Sequence, residues 1–181
     1  MTPRILALVL GISVLAVPVL ADPAVTPYAG QQTRIIKSLS EEDIGALLKG
    51  EGMGMAKAAE LNGYPGPVHV LTLAKELKLT ASQQRHVEAI YSWMKATAKS
   101  LGAELVEREK MLDQLFARGE ITPDRLKAGT AAIAELQGRL RSVHLSAHLE
   151  TRALLDPNQI TRYEQLRGYA DPSAPGHHHH G

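Results

Sequence analysis

Leu79-Thr80-Ala81-Ser82-Gln83 and Gly119-Glu120-Ile121-Thr122-Pro123 bracket the stretch that decides the fold. In the first, Thr80 can accept a hydrogen bond from the backbone of Gln83, whose side chain can reach back to the Thr80 N–H. That reciprocal pairing is a capping box and marks a helix start. Behind it Val87, Ile90, Met94, Ala98, Leu101, Leu105, Leu112 and Leu115 recur at spacings of three, four or seven. Such spacing keeps one apolar stripe on a helix from about Ala81 to Arg118, roughly 55 Å long at 1.5 Å per residue. Gly119 stops it, and Thr122-Pro123 restarts the chain with an N-cap and a Pro at the first helical position. Leu126, Ile133, Leu136, Leu140, Val143 and Ala147 carry a second stripe to about Leu154. A connection this short leaves room only for an antiparallel neighbour.

Shorter elements flank this hairpin. Ser40-Glu41-Glu42-Asp43 opens a helix that Gly50 ends, with acids in its positive first turn. Ala56 to Leu61 adds a turn or two before the Pro65-Gly66-Pro67 breaker, and His69 to Leu77 reads as a further short helix. Asp156-Pro157-Asn158-Gln159 repeats the start logic, and Ile160, Tyr163 and Leu166 form the inner face of a last helix ending at Gly168. The expected fold class is all-α, a long antiparallel hairpin with shorter flanking helices. One side of such a hairpin needs cover from the short helices, a second copy or a client, and homodimerisation is expected.

Composition agrees and excludes much. The chain has 181 residues, 20 Lys+Arg against 19 Asp+Glu, seven aromatics and no cysteine. The missing Cys removes disulfides, thiolate metal sites and thiol nucleophiles. A net charge of +1 argues against nucleic acid as a partner. Residues 1–21 have the form of a signal peptide: Arg4, an apolar run from Ile5 to Leu20, and small residues at Val19 and Ala21. A retained membrane anchor is the alternative, but Gly11 and Pro18 interrupt the run and no basic stop-transfer cluster follows. Cleavage implies export to a periplasm without stable membrane insertion. It also removes one positive charge, leaving 19 against 19. Residues 22–38 read as a disordered lead-in, 39–169 as the helical domain, and 170–181 as a disordered His-rich tail.

Histidine is the ligand chemistry that remains. His144 and His148 stand four apart, on one helix face with Cβ atoms about 6 Å apart, a spacing at which both imidazoles can hold one ion. Two polar flank residues that happen to be His would look the same. His69, ahead of the hairpin, could fold back as a third ligand or serve as a helix-start residue. His177, His178, His179 and His180 form a flexible metal-binding cluster, native or the remnant of a purification tag. His86 reads as surface. Met53 and Met55 are a Met-x-Met pair acceptable to Cu(I), or plugs for the core. No phosphate loop, nucleophile elbow or His-Glu-x-x-His motif is present, so no enzyme activity and no organic cofactor are expected.

The two copies, Leu79 to Gln83 and Leu155 to Gln159, resemble the paired LTxxQ motif of the periplasmic stress protein superfamily (Spy/CpxP/ZraP-like). The resemblance covers roughly residues 65–168. Arg141 to Arg167 is most similar to the heavy-metal resistance or sensor (CnrX-like) branch, and Ile44 to Val70 resembles the leader of exported heavy-metal sensors. It implies a homodimeric, helical, non-enzymatic periplasmic protein. Such a protein senses or resists Zn, Ni, Co or Cu, or acts as an ATP-independent chaperone for unfolded clients. An envelope regulatory protein is a further partner it implies. In the sensor branch, early His residues combine with a carboxylate and a His/Met pair late in the second long helix. His69, His144 and His148 stand near these places, whereas Ala74 and Thr151 depart from the pattern.

Overall fold

The computed structural model describes residues 26–169. The expected signal peptide, the start of the polar segment after it and the His-rich tail lie outside them. Residues 26–32 belong to a separate unit and form turns, closed by Ala29 N–H donating to the Thr26 carbonyl and Gln31 N–H to that of Tyr28. From Thr33 on, the described chain packs as one helical unit.

Its helices are α1 (Glu41–Lys49), α2 (Lys57–Glu60), α3 (Pro67–Thr72), α4 (Ala81–Ala117), α5 (Pro123–Leu154) and α6 (Pro157–Arg167). Among the described residues there is no strand, and no helix is long and apolar enough to cross a membrane. The antiparallel pair α4 and α5 is the spine, joined through Gly119 in the left-handed region at φ 67°. Complete capping boxes start α1 at Ser40, α4 at Thr80 and α6 at Asp156. Each satisfies backbone N–H groups that a helix start otherwise leaves without partners.

Two apolar clusters hold the unit. In the first, Leu47 of α1 and the preceding Ile36 join Leu101 and Leu105 of α4 and Leu136 and Leu140 of α5. In the second, Val70 and Leu77 meet Val87, Leu155 and Tyr163, so α3 and α6 close the end of the hairpin where the motifs lie. Three details depart from the sequence reading. Ile36 is only 2% exposed, so the packed body begins before residue 39. α3 ends at Thr72; the chain then turns, reaching φ 52° at Lys78, because Leu77 must fold inward to the second cluster. On α5 the buried stripe runs Leu136, Leu140, His144, Ala147, Thr151 at spacings of three and four, through His144 rather than Val143.

Candidate functional site

A cleft of about 490 Å³ opens where the loop after α1, α2 and the start of α3 face α4 and the late part of α5. His69, His144 and His148 all line it, with Glu60, Met53 and Met94. The fold thus brings the three expected histidines to one place, 75 or more positions apart in sequence for His69 and the α5 pair.

His144 is 4% exposed, and its Nε2 is a buried polar atom with no hydrogen-bond partner. A stranded polar atom costs about 1–3 kcal/mol, so a core position would ordinarily not keep it without use. Burial, followed by the charges of His148 and Lys95, pushes its pKa below 6.5 and keeps the ring neutral near pH 7. The His144 ring faces the loop after α1, with Nδ1 3.8 Å from where a Cβ on Gly52 would stand.

His148, one turn on, is oriented from outside the helix. Its Nδ1 lies 2.7 Å from the Tyr64 carbonyl oxygen. That oxygen can only accept, so Nδ1 carries the proton, and in the neutral ring Nε2 carries the lone pair. An imidazole whose far nitrogen donates to a backbone carbonyl is the usual posture of a metal ligand. The ring packs against Gly66, whose missing Cβ would come within 2.9 Å of Cε1 and 3.0 Å of Nε2. Tyr64 is itself held in place: Arg152 of α5 donates to the Gly63 carbonyl at 3.0 Å and lies over the Tyr64 ring.

Glu60 anchors the floor. Its carboxylate accepts from Tyr163 Oη at 2.5 Å, Arg167 Nε at 3.3 Å and the Gly66 N–H at 3.2 Å, with His148 Nδ1 3.7 Å away. Burial and then this hydrogen bond push the Tyr163 pKa far up, so the phenol remains a donor. His69, half-buried at the start of α3, also has a lowered pKa, from burial first and then from Arg167. Neutral imidazole is the metal-binding form, and both shifts favour it.

Other sequence expectations fall differently. His86 is exposed as read. Met55 packs on the first core cluster, but Met53 does not: it stays 44% exposed at the cleft. His177 to His180 lie outside the described residues. Among the described residues no three of His, Cys, Asp and Glu stand close enough together to hold a metal by themselves. The Glu60–Tyr163–Arg167 cluster escaped the sequence reading. Glu60 lies more than 100 positions from Tyr163 and Arg167, across the hairpin, and no spacing rule links it to them.

The model of a family described as LTXXQ motif family protein matches residues 69–167. No curated protein and no solved structure matches the chain significantly.

Proposed function

Because the chain belongs to the LTXXQ motif family, a family of periplasmic stress and metal-resistance proteins, we propose that it is a non-enzymatic periplasmic protein of the heavy-metal sensing or resistance type. The ion would be held in the cleft by His144 and His148, with His69 lining the same cleft. The observation that carries this reading is the unpartnered Nε2 of His144, one helical turn from a His148 ring already oriented by a carbonyl. The ion supplies positive charge and directed bonds. Because the loop after α1 faces the His144 ring and Tyr64 and Gly66 hold that of His148, an ion on these two residues would tie late α5 to the segments around α2 and α3.

Calorimetric titration with Zn(II), Ni(II), Co(II) and Cu(II), with His177 to His180 replaced by Ser, should find one ion per chain. His144→Ala with His148→Ala should lower affinity by about 100-fold or more, beyond what loss of an outer-shell partner costs. Unchanged affinity in the double variant would refute the site.

A second reading, an ATP-independent chaperone for unfolded clients, is favoured by a different observation. Trp93, Met111, Phe116 and Leu126 leave large apolar surface exposed along the hairpin. Substoichiometric protein should then delay aggregation of an unrelated unfolded chain without metal, and Met111→Ser with Phe116→Ser should shorten the delay. No delay at molar excess rules this reading out. A second copy of the chain covering the same surface would instead show as a dimer in sedimentation, dispersed by the same two substitutions.

A further inference from the structure

We propose that the ion this cleft prefers is soft and monovalent, Cu(I) or Ag(I), with the thioethers of Met53 and Met94 completing the imidazoles of His144 and His148. The inference rests on the reading of the cleft as a metal site, and it deepens that reading by naming the class of ion.

The donor inventory leads there. Divalent Zn, Ni and Co are commonly held by four or more nitrogen and oxygen donors, with carboxylates among them. No three of His, Cys, Asp and Glu among the described residues gather to provide that. The part-buried carboxylate, Glu60, is already engaged: Tyr163 and Arg167 donate to Oε1, and the Gly66 N–H donates to Oε2. Glu51 also borders the cleft, but it is exposed to water. The uncommitted donors around His144 are therefore neutral, imidazole nitrogen and thioether sulfur, and the sulfurs favour soft Cu(I) over the borderline divalent ions. Two nearby cations act in the same direction, while the Glu60 carboxylate is paired with Arg167. Lys95 stands within electrostatic reach of His144 and Arg167 of His69, and each opposes a double charge more than a single one.

Both methionines reach the cleft, Met94 from the apolar stripe of α4 and Met53 from the loop after α1. Met94 is 7% exposed in α4 and still lines the cleft. Met53 sits in the left-handed region at φ 45°, a conformation that L side chains rarely adopt, beside Gly54 at φ 75°. Strained backbone of this kind gathers at ligand sites, where it aims a side chain that an unstrained loop would not. A Leu at either position would keep the volume and remove the sulfur.

The test uses the full-length chain with His177, His178, His179 and His180 each replaced by Ser. Under anaerobic conditions it is titrated with Cu(I) against bicinchoninate, and separately with Ag(I) while the 13C-labelled methionine methyls are followed by NMR. One equivalent should bind. Ag(I) should shift the Met53 and Met94 methyl signals and leave that of Met111 in place. Met53→Leu and Met94→Leu should each weaken Cu(I) by about tenfold or more, with Zn(II) affinity unchanged. Unmoved Met53 and Met94 signals on saturation with Ag(I) would overturn the proposal even if a Leu variant misfolded. Zn(II) binding without competition for Cu(I) would overturn it and leave the divalent reading standing. Binding of neither ion would remove both.

Discussion

Gly102→Val is expected to separate α1 from the hairpin and to cost about 3 kcal/mol, near the upper end of overpacking penalties. A Cβ on Gly102 would overlap the Leu47 carbonyl oxygen and lie 2.8 Å from its carbon. Backbone on both sides leaves no flexible side chain to move aside. Glycine in mid-helix is itself unfavourable by roughly 0.5–1 kcal/mol relative to alanine, so α4 carries that cost in exchange for the close approach. The end of α1 is seated the same way once more. A Cβ on Gly50 would come within 2.9 Å of the Lys99 backbone nitrogen, and Gly50 adopts φ 64°. Even Gly102→Ala should therefore lower the urea midpoint. Gly138→Ala, in α5 with open space around it, should raise it, adding up to about 1 kcal/mol of stability through helix propensity. The pair isolates packing from propensity, because one substitution yields opposite signs at two helical sites. If Gly102→Ala is as stable as the parent, the α1 seat is not what the glycine serves. The damage should reach the cleft as well, since Gly50 leads directly into the loop that carries Met53.

That seat also shows what a sequence can and cannot disclose. The hairpin, its turn and its caps were legible because each is local. Thr80 and Gln83 are three residues apart, Thr122 and Pro123 adjacent, and the apolar spacing repeats within one helix. Gly102 offers no such local signal, because its reason is a carbonyl more than fifty positions earlier. His144 was readable as a possible ligand but not as a buried one. A helical stripe is wide enough to pass through residue 143 or 144, and the contacts of α2 and the loop after α1 decide between them. Glu60 carried no signal at all: an acid in a four-residue helix reads as surface until Tyr163 and Arg167 arrive from the last helix.

Gln159→Ala should destabilise by about 3 kcal/mol or more, and Gln159→Glu at pH 7 should be at least as harmful. The two motif glutamines are usually readable as caps, each serving its own helix. Here they also serve each other. Gln83 Oε1 accepts from the Thr80 N–H at 2.9 Å, while its Nε2 donates to the Leu154 carbonyl and to Gln159 Oε1, both at 2.8 Å. Gln159 Oε1 accepts from the Asp156 N–H at 3.0 Å, and its Nε2 donates to the Leu77 carbonyl and to Gln83 Oε1, both at 3.2 Å. The Leu77 and Leu154 carbonyls can only accept, so they fix which end of each amide faces them. This cycle joins the starts of α4 and α6 to the end of α5 and to the turn after α3. Removing Gln159 strands the Leu77 carbonyl, the Asp156 N–H and half of the Gln83 amide, in a place where Gln159 itself is buried. A carboxylate there keeps the cap but turns an oxygen toward the Leu77 carbonyl and Gln83 Oε1, replacing two hydrogen bonds by repulsion. Its folded-state pKa should accordingly be raised. The deficit of Gln159→Glu would then shrink as pH falls toward that pKa, where a protonated oxygen can donate again, while Gln159→Ala shows no such recovery. Chemical denaturation of Gln83→Ala, Gln159→Ala and the double variant should give a coupling of about 1–3 kcal/mol. Strict additivity would mean that the two motifs act only as separate caps, and that the closed end of the hairpin is held by the Val70–Tyr163 cluster alone.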